Sequence, residues 1–387
     1  MSKVKKIEAF VLTVPRDMPY LGGQHSGEVA NERGYFVRQR NRTVYPIMDR
    51  SVVVRLETES GVIGWGETYG LVAPRAVLAL INDFMCDFVV GRDAFDAAVI
   101  HEDLYNMMRF RGYGGGYYMD ALAAIDIALW DAAGRCANLP VAKLLGGRRR
   151  DRIPAYVSGL PKPTLQERAE FAAEWQGKGF NSFKFAAPMA EKSLAAEISG
   201  LREVLGSEAR IAADMHWTCT SAEAVSQIKE MEPHGLWFAE APVATEDVAG
   251  LADVARGVQT PIGVGEEWRT VYDAQARINA RAVHIIQPEM GHTGITEFMR
   301  MGLVAQASHL RIIPHATIGS GIFLAASLQA SSALECVEAH EFQHSIFCRN
   351  TGLITDGIEC ENGEYILADK PGIGVEPTEE MISKLES

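Results

Sequence analysis

Asp214, Glu240, Glu266, Glu289, His315 and Glu341 recur through the second half of the chain at spacings of 26, 26, 23, 26 and 26 residues. A strand, a loop and a returning helix together take about this much chain, and a parallel barrel places every such strand end on one rim. The spacing therefore predicts a ring of acids and a base facing one cavity. Asp214, Glu240 and Glu266 end three adjacent predicted strands, and three convergent carboxylates repel one another and are costly in a cavity without a cation. All-oxygen ligation favours magnesium over zinc, so these three are expected to hold Mg2+, leaving about three octahedral positions for substrate and water.

The remaining ring members supply acid-base chemistry. Lys184 ends the second predicted strand and His315 the seventh, so a substrate between them has an acid or base on each side. Glu289, one strand before His315, is placed to accept a hydrogen bond from the imidazole, orient it and raise its basicity. His216 lies two residues beyond Asp214, so strand alternation directs both inward, either to protonate a departing hydroxyl or to bind substrate. Glu341 is a candidate substrate contact beside His340 and His344.

These residues need elements to carry them. Val4 to Val14 reads as a strand, Ser51 to Glu57 and Val62 to Glu67 as a hairpin around Ser60-Gly61, and helices follow at about 74 to 89, 94 to 109 and 119 to 137. In the last, Leu122, Ile125, Leu129 and Ala132 share a face, and Asp120 sits near the start, where a carboxylate suits the dipole. Between strand and hairpin, residues 16 to 49 form a polar stretch carrying Arg33, Arg38, Arg40 and Arg42, long enough to be a lid. RGYGGGYY (111 to 118) follows no strand and reads as a connector rather than a phosphate loop. From Ile153 onward, strand candidates at 153, 182, 210, 236, 261, 282, 311 and 336 alternate with amphipathic helices, which predicts a closed parallel barrel. NGEYILADKPGIGVE reads as extended chain rejoining the N-terminal module. The expected domains are an α+β cap at 1–137, a barrel at 138–355 and a returning segment at 356–387.

Composition narrows the function classes. The chain has 387 residues, 47% hydrophobic and 22% charged, and a formal net charge of -13, which disfavours nucleic acid and anionic membranes as partners. Its six cysteines show no C-x-x-C pairing or zinc-type spacing, as expected of reduced thiols. The first residues lack a signal peptide's apolar core, and no run reaches the ~18 apolar residues needed to span a bilayer, so a cytoplasmic location is expected.

The chain resembles the mandelate racemase subgroup of the enolase superfamily across nearly its whole length. DALAAIDIALWDAAGRCANLPVAKLLGG (120 to 147), GEEW (265 to 268), IIQPE (285 to 289), IIPH (312 to 315) and PGIGVE (371 to 376) carry the resemblance. It implies a (β/α)7β modified TIM barrel under an α+β N-terminal capping domain completed by the C-terminal tail, with magnesium on Asp214, Glu240 and Glu266 and a His315 base paired with the acid at 289. It also implies a homo-oligomer. Two departures stand out: the second strand reads Lys184-Phe185-Ala186 where members that use this strand for their base often have Lys-x-Lys, and the dyad acid is Glu289 rather than Asp.

Sites of this kind use a Lys or His base with magnesium to stabilise an enediolate. D-M-H-W at 214 to 217 resembles the Asp-x-His arrangement of the subgroup's sugar-acid dehydratases. The expectation is a hydro-lyase: His315 takes the α-proton, Glu289 orients it, and Lys184 or His216 assists departure of the β-hydroxyl to give a 2-keto-3-deoxy acid. The loop arginines, Arg42 among them, suggest a second substrate carboxylate and hence an aldarate such as galactarate, or tartrate. The alternatives are a racemase or epimerase of a 2-hydroxy acid using Lys184 and His315, and a barrel that binds sugar acids without turning them over.

Overall fold

The computed structural model of the chain describes residues 2–16, 23–39, 41–316, 319–355 and 358–387. At the N-terminus, β1 (Val4–Pro15), β4 (Met48–Thr58) and β5 (Ile63–Tyr69) form an antiparallel sheet in which β1 and β5 flank β4. Between β1 and β4, β2 (Tyr35–Val37) pairs with β3 (Val44–Pro46) as a two-stranded ribbon. The long helix Gly116–Ala137 lies directly on β5, where a Cβ at Gly66 would come within 1.9 Å of the Ala124 carbonyl. Leu122, Ile125, Leu129 and Ala132 are buried as expected, but so is nearly every other side of this helix, because the sheet covers one face and the barrel helix Met290–Ala307 another. Buried aspartates tie it down: Asp126 accepts from the backbone of Thr296, and Asp131 from those of Trp65 and Ile373.

Eight parallel strands among the described residues form the barrel: β6 (Arg152–Ser158), β7 (Ser182–Ala186), β8 (Arg210–Asp214), β9 (Leu236–Glu240), β10 (Ile262–Val264), β11 (Ile285–Ile286), β12 (Arg311–Ile312) and β13 (His340–Phe342). β13 closes on β6, with a bridge from Ile312 to Val337 joining it to β12. A helix follows each strand as far as Ile322–Ala333 after β12, which is the (β/α)7β pattern. Tyr156, Ala212, Phe238, Ile285, Ile313 and Ala339 pack together as an inner layer. Ser158, Asp214, Glu240, Gln287, His315 and Glu341 stand two residues further along, so the period-two pleat directs them into the barrel one layer higher.

The C-terminal segment first adds to the barrel rather than to the cap. β14 (Ile358–Glu361) and β15 (Glu364–Leu367) form a hairpin, and β15 pairs antiparallel with the start of β6. Only then does the chain return, with Gly372 bonded to Leu139 and Val141, and β16 (Leu385–Glu386) beside β1. No helix among the described residues is long and apolar enough to cross a membrane. All six cysteines are free thiols.

Candidate active site

The strand ends and the cap enclose a cavity of about 460 Å³ lined by Lys184, Asp214, His216, Glu266, His315 and Glu341, together with Thr43–Tyr45, Tyr69 and Tyr117 from the cap. This is the C-terminal rim of the parallel barrel, the end at which barrel enzymes place their active sites. His315 donates from Nδ1 to Glu289 Oε2 at 2.7 Å, and its Nε2 stands 3.0 Å from Glu266 and 3.7 Å from Glu341. Burial disfavours the imidazolium, but the charges of Glu266 and Glu341 and the bonds to Glu266 and Glu289 outweigh it, holding the His315 pKa well above its ordinary value. Glu289 is fully buried and accepts also from the Tyr69 hydroxyl and the Gly291 amide, so the acid that orients the His315 imidazole is itself fixed on three sides.

Lys184 Nζ lies 2.6 Å from Glu240 and 3.3 Å from Glu341. Desolvation opposes its charge, yet Glu240 and Glu341 raise its pKa well above the usual value, so it stands as an ammonium donor. Glu240 also accepts from Gln287 at 2.6 Å; burial and the charges of Asp214, Glu266 and Glu341 push it up to about 7 despite Lys184. Asp214 and Glu341 go the other way. Burial raises both, but His216 beside Asp214, and Lys184 and His315 beside Glu341, bring each down to about 2.

His216 reaches the cavity by a different route from strand alternation. β8 ends at Asp214, and His216 and Trp217 both adopt left-handed backbone at φ 53° and 55°. This turn returns the imidazole onto Asp214, with Nε2 2.9 Å from Oδ2 and the His216 amide 3.0 Å from Oδ1. Two consecutive non-glycine residues in that region cost of order 1–3 kcal/mol each, which functional sites tolerate.

Asp214, Glu240 and Glu266 share the rim, with Asp214 in register beside Glu240 on the adjacent strand. As their side chains stand, each is paired with its own cation: His216, Lys184 and His315, respectively. Among the described residues no three His, Cys, Asp or Glu side chains stand together as a ligand set. The donor set nevertheless fits a hard dication, since buried carboxylates on neighbouring strands raise Glu240 by mutual repulsion.

Arg42 is exposed at φ 57° and does not line the cavity. Arg33 is also exposed, Arg38 is buried against Glu28 at 3.0 Å, and Arg40 lies outside the described residues. The loop therefore reaches the cavity through Thr43–Tyr45, with Tyr45 pushed up to about 12 by burial, and not through its described arginines. His340 bonds Ser327 and His344 bonds the Gly159 carbonyl, which leaves Glu341 alone to join Lys184 and His315.

Sequence reasoning missed a cluster on the cavity wall. Asp120 accepts from His292 Nδ1 at 2.7 Å and from Arg269 Nε at 3.3 Å, so it faces the cavity instead of serving its helix dipole. Helical spacing gave no signal for this pairing, because its partners lie 149 and 172 residues away. The available clue was position, since Arg269 directly follows the GEEW segment and His292 lies just beyond IIQPE.

Residues 167–381 match the enolase C-terminal domain-like family, and residues 42–146 match the N-terminal domain of the mandelate racemase / muconate lactonizing enzyme family. The structure of a candidate isomerase from Sinorhizobium meliloti, described in an open loop conformation, is 62% identical, covers 100% of both chains and superposes with a TM-score of 0.97. A member of the enolase superfamily from Agrobacterium tumefaciens is 56% identical over 100% of this chain and 99% of its own, with a TM-score of 0.97. More distantly, D-galactarolactone cycloisomerase of Agrobacterium fabrum is 29% identical, over 86% of this chain and 90% of its own length. D-galactonate dehydratase of Xanthomonas euvesicatoria is 28% identical, over 88% and 92%.

Proposed function

The chain belongs to the mandelate racemase / muconate lactonizing enzyme family of the enolase superfamily, and from that membership we propose that it is a magnesium-dependent acid-sugar dehydratase. The observation that carries the reading is His315, held from behind by Glu289 and Tyr69 and presenting Nε2 to a cavity that the Lys184 ammonium enters from another strand. Asp214, Glu240 and Glu266 would hold Mg2+ once their side chains turn from His216, Lys184 and His315. The bound ion would supply Lewis-acid stabilisation of the charge developing on the substrate carboxylate.

The chain's own residues then do the proton work. With Glu266 turned away from it, His315 in its neutral form takes onto Nε2 the proton from the carbon next to the carboxylate, a feebly acidic position because its electron pair adds a second negative charge to that group. The pair then moves to the neighbouring carbon-carbon bond as the β-hydroxyl departs, taking its proton from Lys184 or His216 and leaving as water. The resulting enol tautomerises to a 2-keto-3-deoxy acid. Galactonate- or galactarate-type acids are the proposed class, consistent with the substrates in the names of two relatives. Among the described loop arginines the aldarate preference has lost its support, since Arg38 is bound to Glu28 and Arg33 and Arg42 are exposed.

A second reading, isomerisation, draws on Lys184 and His315 both approaching Glu341, at 3.3 Å and 3.7 Å, and so flanking one space. A screen of mono- and dicarboxylic sugar acids with Mg2+, reading keto-acid formation and solvent deuterium uptake together, separates the two. Dehydration yields keto acid; exchange with inversion and no keto acid identifies an isomerase. His315→Asn is expected to abolish uptake while leaving magnesium binding nearly intact, and retained uptake would transfer the base to Lys184.

A further inference from the structure

We propose that His292 is a specificity-determining residue that reads one hydroxyl of the substrate through Nε2, an inference that rests on the reading of the cavity as a sugar-acid site. His292 belongs to no proton-transfer step above, yet it lines the same cavity as His315. Its ring is held by contacts from three parts of the chain. Nδ1 lies 2.7 Å from Asp120 on the cap helix, Arg269 Nη2 stands 3.3 Å from the same nitrogen, and the Tyr69 ring stacks on the imidazole at 4.5 Å between centroids.

The Asp120 contact fixes the protonation pattern: the 2.7 Å bond assigns the proton to Nδ1, so Arg269 Nη2 at 3.3 Å is a neighbour of that nitrogen and not its donor, and a neutral ring carries its lone pair on Nε2. Nε2 has no hydrogen-bond partner among the described residues, and the Nδ1 edge is already consumed, so Nε2 is the polar part of the ring left for a ligand. Arg269 is committed as well: Nε donates to Asp120 and Nη1 to the Glu267 carbonyl. The cluster therefore offers one preorganised acceptor rather than a cationic clamp. An O–H donor suits it, and a second carboxylate does not.

Tyr69 ties this reader to the reacting centre, because its hydroxyl holds Glu289 while its face holds His292. A substrate whose α-proton meets His315 occupies the cavity that His292 also lines.

The test compares a turned-over sugar acid with its monodeoxy analogues, measuring kcat/KM and solvent deuterium uptake at the carbon beside the carboxylate. For one analogue, the wild-type enzyme is expected to show about 10- to 100-fold lower kcat/KM than for the parent, the penalty of leaving a built acceptor unpaired. His292→Phe, which keeps the stack on Tyr69, should bring the parent down to the level of that analogue while changing the analogue itself less than about threefold. His292→Gln, which restores an acceptor, should recover part of the preference. Equal losses for parent and analogue, or a preference unchanged by His292→Phe, would overturn the proposal. If wild-type protein exchanges no sugar acid, the reading of the cavity falls and this inference with it; exchange without discrimination defeats this inference alone. A latch joining cap to barrel would instead show as a lowered Tm with discrimination intact.

Discussion

His315 Nδ1 stands 2.7 Å from Glu289 Oε2, and that carboxylate, fully buried, has the Tyr69 hydroxyl on the same oxygen at 3.0 Å. The acid is one methylene longer than the family's usual Asp and still closes the dyad. Replacing it by Gln keeps the shape and removes the charge that stabilises imidazolium. Deuterium uptake should fall by ~10²–10⁴, as when the orienting acid of a His dyad is neutralised. Uptake within threefold of wild type would remove Glu289 from the machinery.

Glu240 accepts from Lys184 through Oε1 and from Gln287 through Oε2, both at 2.6 Å, and is raised to about 7 by burial and its acidic neighbours. Glu240→Gln should weaken Mg2+ binding by at least ~10–100-fold in calorimetry, since even loss of an outer partner of a metal ligand costs that much. Unaltered magnesium affinity would contradict its place as a ligand.

His101 is buried in the helix Ala97–Arg109 with neither ring nitrogen hydrogen-bonded, and burial lowers its pKa to about 3. Its unfolded value is about 6.5. The native state therefore resists protonation, and His101's contribution is present above pH 6.5 and lost as pH falls toward 3. Asp126 has the opposite sign: raised to about 7 by burial, its contribution is present below its ordinary value and lost as pH rises through 7. Because the two overlap, the informative quantity is a difference. The urea midpoint of His101→Phe relative to wild type should shift in the variant's favour as pH falls from 8 to 4. A pH-independent difference would show that His101 is not buried neutral.

Gly265 sits at φ +138° between β10 and Glu266, where a Cβ would come within 2.9 Å of the Gln287 amide nitrogen and 3.0 Å of the Trp268 ring. Gly265→Ala should cost of order 1–3 kcal/mol in denaturant unfolding and lower magnesium affinity, because the kink aims Glu266 inward. Wild-type stability would show that the backbone relaxes without cost.

The ring was legible because strand ends are coupled to chain length. The recurrence of Asp214, Glu240, Glu266, Glu289, His315 and Glu341 encodes the βα repeat, and the pleat directs alternate residues inward from the layer of Phe238 and Ile313. His216 lines the cavity by way of a left-handed turn that no strand alternation describes. Arg42 was singled out by charge alone, and charge does not say whether a loop residue faces a cavity or solvent.

Local pattern and regular spacing thus determined the barrel, the cap and the rim residues, since these depend on periods of two residues, of a helical turn and of one βα unit. Tertiary structure alone decided which side chains pair across the rim, how the tail splits between barrel and cap, and that Asp120 meets His292 and Arg269. Contacts between segments more than a hundred residues apart depend on where whole elements dock, and no short-range preference in the chain encodes that docking.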